Sequence, residues 1–308
     1  MVTIITVTYN SAKYISAAID SILASTYTNF ELIIGDDNSK DNTWQIVNTY
    51  TDNRIVKYKN ETNIGEYPNR NKAINLAKGE YLIFIDGDDM IYPHGLLFMT
   101  QMLHSFPNCA MALMRWFKNN IFYPIEITPN DFYVGEYFGE GFLGTSFANT
   151  LFNTKVLKES GSLSSVYKSG DDFIRYKIAQ NHNILIIADQ LTWWRETPGQ
   201  ASQNLSNSIN GLIESYEMRF AFLNNNCPLA PNQIEKAINN LNVNLGKILL
   251  KKIIKLKFSD ARAVYKNFKP PVKFIFNTTL NYTYLNPFEK YSPENPKREN
   301  FTIVNLAN

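Results

Sequence analysis

Apolar and polar positions along the first ninety residues alternate between two periods. Val2 to Thr8 is a β-branched run of strand length, and the turn residues Tyr9-Asn10-Ser11 follow it. Tyr14, Ile15, Ala18, Ile19, Ile22 and Leu23 then recur at helical spacing and give one apolar face, with Asn10 or Ser11 as the expected N-cap. Phe30 to Gly35 repeats the strand pattern and ends in Asp36-Asp37-Asn38-Ser39. Asp41 is placed to cap a helix over 42–50, and Arg54 to Lys59 alternates as a more exposed third strand. A loop carrying Gly65 leads to a short helix over 69–78, which Gly79 is expected to terminate. The fourth strand, Tyr81 to Ile85, runs into Asp86-Gly87-Asp88-Asp89.

Alternation of strand and helix predicts an α/β fold with a mostly parallel sheet of right-handed crossovers. In such sheets ligands bind beyond the carboxyl ends of the strands. Three strands deliver polar groups there: Tyr9-Asn10, Asp36-Asp37 and Asp86 to Asp89. Carboxylates repel one another and resist burial, so the last group must sit in water or around a cation. A divalent ion shared with substrate phosphates is one use of such a cluster, and a solvated acidic turn is the other reading. No G-x-G-x-x-G follows the first strand and no G-x-x-x-x-G-K-[ST] occurs, so neither a dinucleotide fingerprint nor a P-loop is supported.

Beyond residue 100 the pattern is less regular. Cys109 to Phe117 reads as a strand and 119–141 as a loop rich in aromatics, most of them expected to pack. Ser169-Gly170-Asp171-Asp172 opens an amphipathic helix bearing Phe173, Ile174 and Ile178, and Ile184 to Ala188 is a further strand. Two carboxylates at a helix start suit the helix dipole, and they equally suit general-base work if burial or a neighbouring charge raises a pKa. The last hundred residues differ in kind, with helices over 209–224 and 231–256 and an extended tail after Pro287. The stretch 247–273 mixes lysines with apolar residues. It reads either as a face for an anionic membrane surface or as a helix packed on the rest with solvated lysines.

Composition narrows the class. With 44% hydrophobic and 19% charged residues the chain is an ordinary globular sequence. A net charge of +2 gives no argument for nucleic acid, and no nucleic-acid partner is expected. Two cysteines fit a reducing compartment. No basic region with a cleavage site precedes the first strand and no run of 18 uncharged apolar residues occurs. A signal peptide and a membrane span are therefore not expected. The triplets at Asn277 and Asn281 read as chance glycosylation matches.

Four stretches together carry a family likeness. Ile4 to Asn10, Phe30 to Thr43, Asn63-Ile64-Gly65 with Arg70-Asn71, and Asp86-Gly87-Asp88-Asp89 resemble, in order and spacing, glycosyltransferase family 2. The resemblance implies a GT-A type, Rossmann-like fold with a C-terminal helical extension. It implies an inverting transfer from a nucleotide-sugar donor, a UDP-sugar by preference, with Mn²⁺ or Mg²⁺ as cofactor. The acceptor would be a saccharide or lipid-linked saccharide in surface polysaccharide biosynthesis, in the cytoplasm or peripherally on the inner face of the membrane. The implied catalytic domain is 1–205, with a nucleotide-sugar half over 1–100 and an acceptor half over 101–205, and the helical extension is 206–308.

The same resemblance distributes roles. Thr8, Tyr9, Asn10, Asp37, Arg70, Asp88 and Arg195 would hold the donor, with Tyr9 stacked on the base and Asp37 accepting from uracil. Asp89, Asp88 and Asp86 form the metal element, Asp89 as the direct ligand and Asp86 in the more structural role. Asp172 would be the base and Asp171 its assistant, in a position where many members carry Glu-Asp. Gly144-Thr145-Ser146, Val156-Leu157 and Gly161 resemble the stretch before the acceptor site. Trp193-Trp194-Arg195 resembles the aromatic-Arg element, but Thr197 stands where many members have a metal-binding His. The loop 196–204, with Gly199 and Ser202, is an expected lid, and His94 an ordinary turn residue. A metal-dependent nucleotidyltransferase and a non-catalytic nucleotide- or carbohydrate-binding module are the alternatives.

Overall fold

The structure is a computed structural model describing residues 1–117, 121–161, 163, 166–167, 169–188, 191–197, 208–276 and 283–285. An eight-stranded sheet forms its centre, in the order β3-β2-β1-β4-β8-β6-β9-β7. The strands are β1 (Val2–Thr8), β2 (Phe30–Asp36), β3 (Ile55–Lys59), β4 (Tyr81–Phe84), β6 (Cys109–Met114), β7 (Ile125–Ile127), β8 (Thr150–Asn153) and β9 (Asn183–Ile187). Neighbouring strands run parallel except at β8, which is antiparallel to β4 and β6, and at β7, antiparallel to β9. The expected mostly parallel sheet is therefore present, flanked by helices on both faces.

Strand periodicity sorts the core. Val2, Ile4, Leu32, Ile34, Tyr81 and Ile83 face one side, against α1 (Ile15–Leu23), α2 (Thr43–Thr49) and α4 (Gly95–Ser105). Ile5, Val7, Ile33, Leu82 and Phe84 face the other side, which includes α3 (Glu66–Leu76), α5 (Pro129–Phe138) and α7 (Gly170–Ala179). The short α6 (Thr154–Glu159) follows β8. Burial on both faces explains why β1, β2 and β4 read as apolar runs rather than alternations. β3 lies at the sheet edge and carries Lys57 and Lys59, which suits an edge that must stay unpaired.

Several local expectations are corrected. Asn10 and Ser11 do not cap α1, which begins four residues later. Their main-chain amides instead donate to Ser39 Oγ (2.9 Å) and Thr43 Oγ1 (2.8 Å), stitching the β1 exit to the β2 exit. Asp41 does accept from the Thr43 amide at the start of α2, and also from Ala12. Helix α3 starts at Glu66, three residues before the expected start. Gly79 is not a left-handed cap. A Cβ there would lie 2.4 Å from the Thr3 amide nitrogen, so close approach to β1 requires the glycine.

The aromatic stretch over 119–141 is not a loop, since it contains β7 and α5. Thr128 and Asp131 form a capping box around Pro129, and Phe132, Tyr133, Tyr137 and Phe138 are buried. A helix buried nearly all round shows no polar face, and that concealed it from the apolar pattern.

After β9, helices α8 (Ile209–Asn224) and α9 (Pro231–Ile254) fall where the periodicity puts them. Met218, Phe222, Leu223, Ala237 and Leu241 from these helices join the same core as the sheet. The far half of α9 packs separately with α10 (Phe258–Phe268) and α11 (Val272–Phe276), around Leu245, Leu249, Ala261, Val264 and Ile275. Between α9 and α10 the apolar residues point outward: Ile254 is 70% exposed, Leu256 74% and Phe258 59%. Leu256 holds φ at 56°, a conformation costly for a bulky residue. No described helix is long and apolar enough to cross a membrane. The expected lid and the tail beyond Pro287 lie largely or wholly outside the described residues.

Candidate active site

Adjacent strands β2, β1 and β4 end together. Thr8 pairs with Asp36 across β1 and β2, and Ile5 pairs with Phe84 across β1 and β4. The three polar groups expected at the carboxyl edge are therefore neighbours. Gly87 makes the acidic turn possible, because a Cβ there would lie 2.9 Å from Thr8 Oγ1. That hydroxyl is buried and has no hydrogen-bond partner among the described residues.

The acids on this edge do different things. Asp36 is fully buried and accepts from both the amide and the hydroxyl of Ser39. Asp37 accepts from Asn60 Nδ2 (2.9 Å) and the amides of Ile64 (3.0 Å) and Gly65 (2.8 Å). It thus organises the Asn63-Ile64-Gly65 loop, with a carboxylate lone pair to spare for a further donor. Asn10 Oδ1 accepts from the Lys40 amide (2.8 Å), while Tyr9 is 46% exposed, its ring open to solvent.

Arg70 is buried and tied down. Its Nη2 reaches both oxygens of Asp86, at 2.6 and 2.7 Å, and its Nη1 pairs with Glu66. Burial works against its charge, but Asp86 and Glu66 outweigh that and hold the guanidinium firmly protonated. Both Asp86 oxygens are therefore engaged by Arg70. Both Nη groups of Arg70 point at carboxylates, and the structure shows it bracing the acidic turn.

Asp88 and Asp89 lack such a partner. Burial, with the Asp86 charge behind it, raises the Asp88 carboxyl. The same causes push Asp89, only 2% exposed, up to about 8. A short antiparallel pair, β5 (Met90–Ile91) with β10 (Thr192–Trp193), brings Arg195 to this turn. The Arg195 amide donates to Asp89 Oδ1 (3.1 Å) and its Nε to the Asp88 carbonyl (2.9 Å). Its guanidinium lies over the Tyr14 and Trp193 rings, at 5.0 and 4.4 Å. Thr197 donates from its hydroxyl to Asp88 Oδ2 at 3.3 Å.

Two carboxylates whose pKa values are raised by burial and mutual repulsion suit a hard divalent cation, which would relieve both effects. Among the described residues no group of three or more His, Cys, Asp or Glu side chains could hold a metal ion, so Asp88 and Asp89 by themselves would make only part of a coordination shell.

The second acidic pair sits at the first turn of α7. Arg175, fully buried, directs Nε to Thr150 Oγ1 (3.0 Å), Nη2 to the Ser146 carbonyl (2.8 Å) and Nη1 to the Thr145 carbonyl (3.2 Å). The same Nη1 reaches Asp172 Oδ1 at 3.2 Å and Asp171 at 3.7 Å. Burial, then the neighbouring Asp171, push the Asp172 carboxyl up to about 7, against the pull of Arg175. That is the range in which a carboxylate works as a base near neutral pH.

Three residues with no role assigned from the sequence connect the two acid groups. Tyr67 Oη accepts from the Gly170 amide (2.9 Å), and Asn71 exchanges two hydrogen bonds with the Leu163 main chain. Both belong to α3, the helix that carries Arg70. Phe147 lies between the systems, with the Arg70 and Arg175 guanidiniums at 5.2 and 5.3 Å from its ring centre. Arg175 lies three residues after Asp172, and that spacing is its one local hint of a role.

A family model, that of glycosyl transferase family 2, matches residues 3–161. The chain belongs to glycosyl transferase family 2. Among its relatives is the Escherichia coli protein UDP-Glc:alpha-D-GlcNAc-diphosphoundecaprenol beta-1,3-glucosyltransferase WfgD, 35% identical over 140 residues, covering 44% of this chain and 50% of that one. A second from E. coli, WfaP, carries the same description and is 45% identical over 89 residues, covering 29% of this chain and 36% of that one. The chain thus spans about a third to a half of these relatives' length. Among solved structures, S. aureus TarS in complex with UDP-GlcNAc superposes with a TM-score of 0.61 at 22% identity, covering 77% of this chain and 70% of that one. Mannosyltransferase PcManGT from Pyrobaculum calidifontis, in complex with GDP-Man and Mn²⁺, gives 0.59 at 18% identity, covering 86% and 74%. The fold of this family 2 chain is of the GT-A type.

Proposed function

We propose that this chain is an inverting glycosyltransferase that moves a hexosyl or N-acetylhexosaminyl group from a UDP-sugar to a lipid-linked saccharide in surface polysaccharide assembly. The observation that carries this reading is the meeting of two unlike acid groups at one sheet edge. Asp88 and Asp89 sit beside Arg195, and Asp172, its carboxyl near 7, is fixed on the neighbouring helix α7. Family membership supports it, and so do the names of WfgD and WfaP for the UDP-sugar and the diphospholipid acceptor.

In this mechanism Asp172 removes the acceptor hydroxyl proton as that oxygen attacks the anomeric carbon opposite the diphosphate. The new glycosidic bond forms, the bond from the anomeric carbon to the β-phosphate oxygen breaks, and UDP leaves. A Mn²⁺ or Mg²⁺ held by Asp89 and Asp88 would supply positive charge against the departing diphosphate. Arg195 adds a cation on the same turn, Tyr9 offers a face to the base, and Thr8, Asn10 and Asp37 shape the nucleotide edge. Arg70 acts by holding Asp86 and the turn in place.

The exposed Ile254, Leu256 and Phe258, set among Lys251, Lys255 and Lys257, suit the surface of an anionic bilayer in which a lipid-linked acceptor resides. Thermal melts with UDP and Mn²⁺ test the donor reading. A ligand at one hundred times its Kd adds about 2.7 kcal/mol to the native state. A rise in Tm with UDP plus Mn²⁺, together with slow UDP-sugar hydrolysis, is expected. Melts unmoved by every nucleoside diphosphate would sink the proposal.

A further inference from the structure

Arg195 is carried to the acidic turn by main-chain pairing, but rings place its guanidinium. Besides the bond from Nε to the Asp88 carbonyl, the guanidinium lies 5.0 Å from the centre of the Tyr14 ring and 4.4 Å from that of Trp193. Tyr14 comes from a different part of the site. It is the last residue before α1, in the turn that follows β1 and carries Tyr9. That turn is fastened to the β2 exit. The Asn10 amide donates to Ser39 Oγ (2.9 Å), the Ser11 amide to Thr43 Oγ1 (2.8 Å) and the Ala12 amide to Asp41 (3.1 Å). The Tyr14 amide closes back on the Ser11 carbonyl at 2.8 Å. A tightly held piece of the nucleotide edge therefore presents the ring.

The way a guanidinium is held decides what it can do. The donors of Arg70 and Arg175 are directed at fixed protein oxygens, and both side chains are buried. Arg195 is half-buried, and Trp193 beside it is exposed. An aromatic face attracts a cation through the ring quadrupole. Stacking takes up the flat face of a guanidinium and leaves its in-plane donors for hydrogen bonds to an anion such as a phosphate. Stacking also orders a long side chain before any ligand arrives, which lowers the entropic cost of binding. The contact uses the ring face, so it does not depend on the Tyr14 hydroxyl.

We propose that Tyr14 is a positioning residue, whose ring holds the Arg195 guanidinium against the diphosphate of the bound nucleotide. The proposal rests on the glycosyltransferase reading. It adds a link between two halves of the donor site: the Tyr9 turn, which faces the base, and the Asp88-Asp89 turn, which faces the phosphates, meet through Tyr14 and Arg195. Trp193 completes the contact from the strand that delivers Arg195. The exposed Lys13 ammonium also lies over the Tyr14 ring, at 5.1 Å, so the test must separate its share from that of Arg195.

Calorimetry with UDP, inorganic pyrophosphate and uridine, all in Mg²⁺ buffer, tests the link. Tyr14→Leu should weaken UDP and pyrophosphate by about five- to tenfold and leave uridine affinity and Tm at the wild-type values. The kcat of UDP-sugar hydrolysis should fall by a similar factor. Tyr14→Met carries the same expectations with less change in bulk, and Tyr14→Phe, which keeps the ring, should match wild type. In an Arg195→Gln background, Tyr14→Leu should cost nothing more, because the ring then has no guanidinium to hold. Unchanged pyrophosphate affinity in Tyr14→Leu and Tyr14→Met, an equal loss for uridine, or losses that multiply in the double variant overturn the role of Tyr14 and leave the donor reading standing. The expected pattern for pyrophosphate, in a protein that neither binds UDP more tightly nor hydrolyses UDP-sugar, keeps the Tyr14–Arg195 unit and overturns the donor reading instead. Wild-type protein that binds neither UDP nor pyrophosphate overturns both.

Discussion

Two buried arginines face two acid groups across one phenylalanine, and they treat their acids differently. Arg70 gives Asp86 both oxygens' worth of hydrogen bonds, at 2.6 and 2.7 Å. Arg175 directs most of its donors to main-chain carbonyls and to Thr150, and reaches Asp172 with one bond of 3.2 Å. One guanidinium nitrogen on both oxygens of a carboxylate holds that side chain in place. A guanidinium anchored on the backbone fixes the position of an acid while leaving its proton affinity high. Asp86 thus becomes scaffold, and Asp172 keeps a carboxyl that titrates near 7. Both guanidiniums lie over Phe147, so the two systems share one aromatic contact.

The largest effect that could break this contrast is chemical. Asp172→Asn should lower kcat for transfer about 10²- to 10⁴-fold, the usual worth of a positioned base, with UDP affinity unchanged. Transfer at the wild-type rate would remove Asp172 from the mechanism. Next is stability. Arg70→Met leaves Asp86 without its partner and Nη1 and Nη2 without replacements, and should cost about 3–5 kcal/mol in denaturant unfolding, reduced somewhat because Asp86 is partly solvated. A loss under 1 kcal/mol would show that the pair is not the brace described.

pH sharpens the comparison. The Asp172 carboxyl is raised from 3.8 to about 7 in the folded protein. Between these values the folded state keeps a proton that the unfolded chain has released, so stability should fall as pH rises through that window and level off above it. Over the same interval kcat/KM should climb, because only the carboxylate is a base. Asp172→Asn should flatten the Asp172 contribution to stability, and its Tm relative to wild type should be higher at pH 8 than at pH 5. Asp171→Asn removes the like charge and should move the rate midpoint downward, by about one unit or less. An upward move would contradict the assigned cause.

The smallest effect concerns the exposed tip. Leu256→Asp with Phe258→Asp should abolish binding to phosphatidylglycerol vesicles while leaving Tm and UDP binding alone, since both side chains lie mainly in solvent. Vesicle binding that survives both changes would take the tip out of the membrane reading.

Much of this architecture was legible in the residues. Strand ends at Thr8, Asp36 and Phe84 follow from β-branched runs stopped by polar turns, and α8 and α9 follow from their helical spacing. The four donor-side motifs marked the edge where the acids gather. What stayed hidden had a common cause. The helix α5 has no polar face to announce it, and Gly79 looked like a cap because its real constraint, the Thr3 amide, lies 76 residues away. The ion pair of Arg70 with Asp86 was also hidden, because the two lie 16 residues apart and nothing in the local pattern says that they will meet.

The sequence by itself determined the alternating elements, the parallel sheet and the gathering of acids at its carboxyl edge. Those depend on periodicity and connection handedness, which act over a few residues at a time. The tertiary structure decided which acids are neutralised and which stay raised. These outcomes are set by distances between residues far apart in the chain, as with Arg195 and the Asp88 carbonyl, 107 residues apart and 2.9 Å from each other. Charge and desolvation respond to those distances and to nothing in the local pattern.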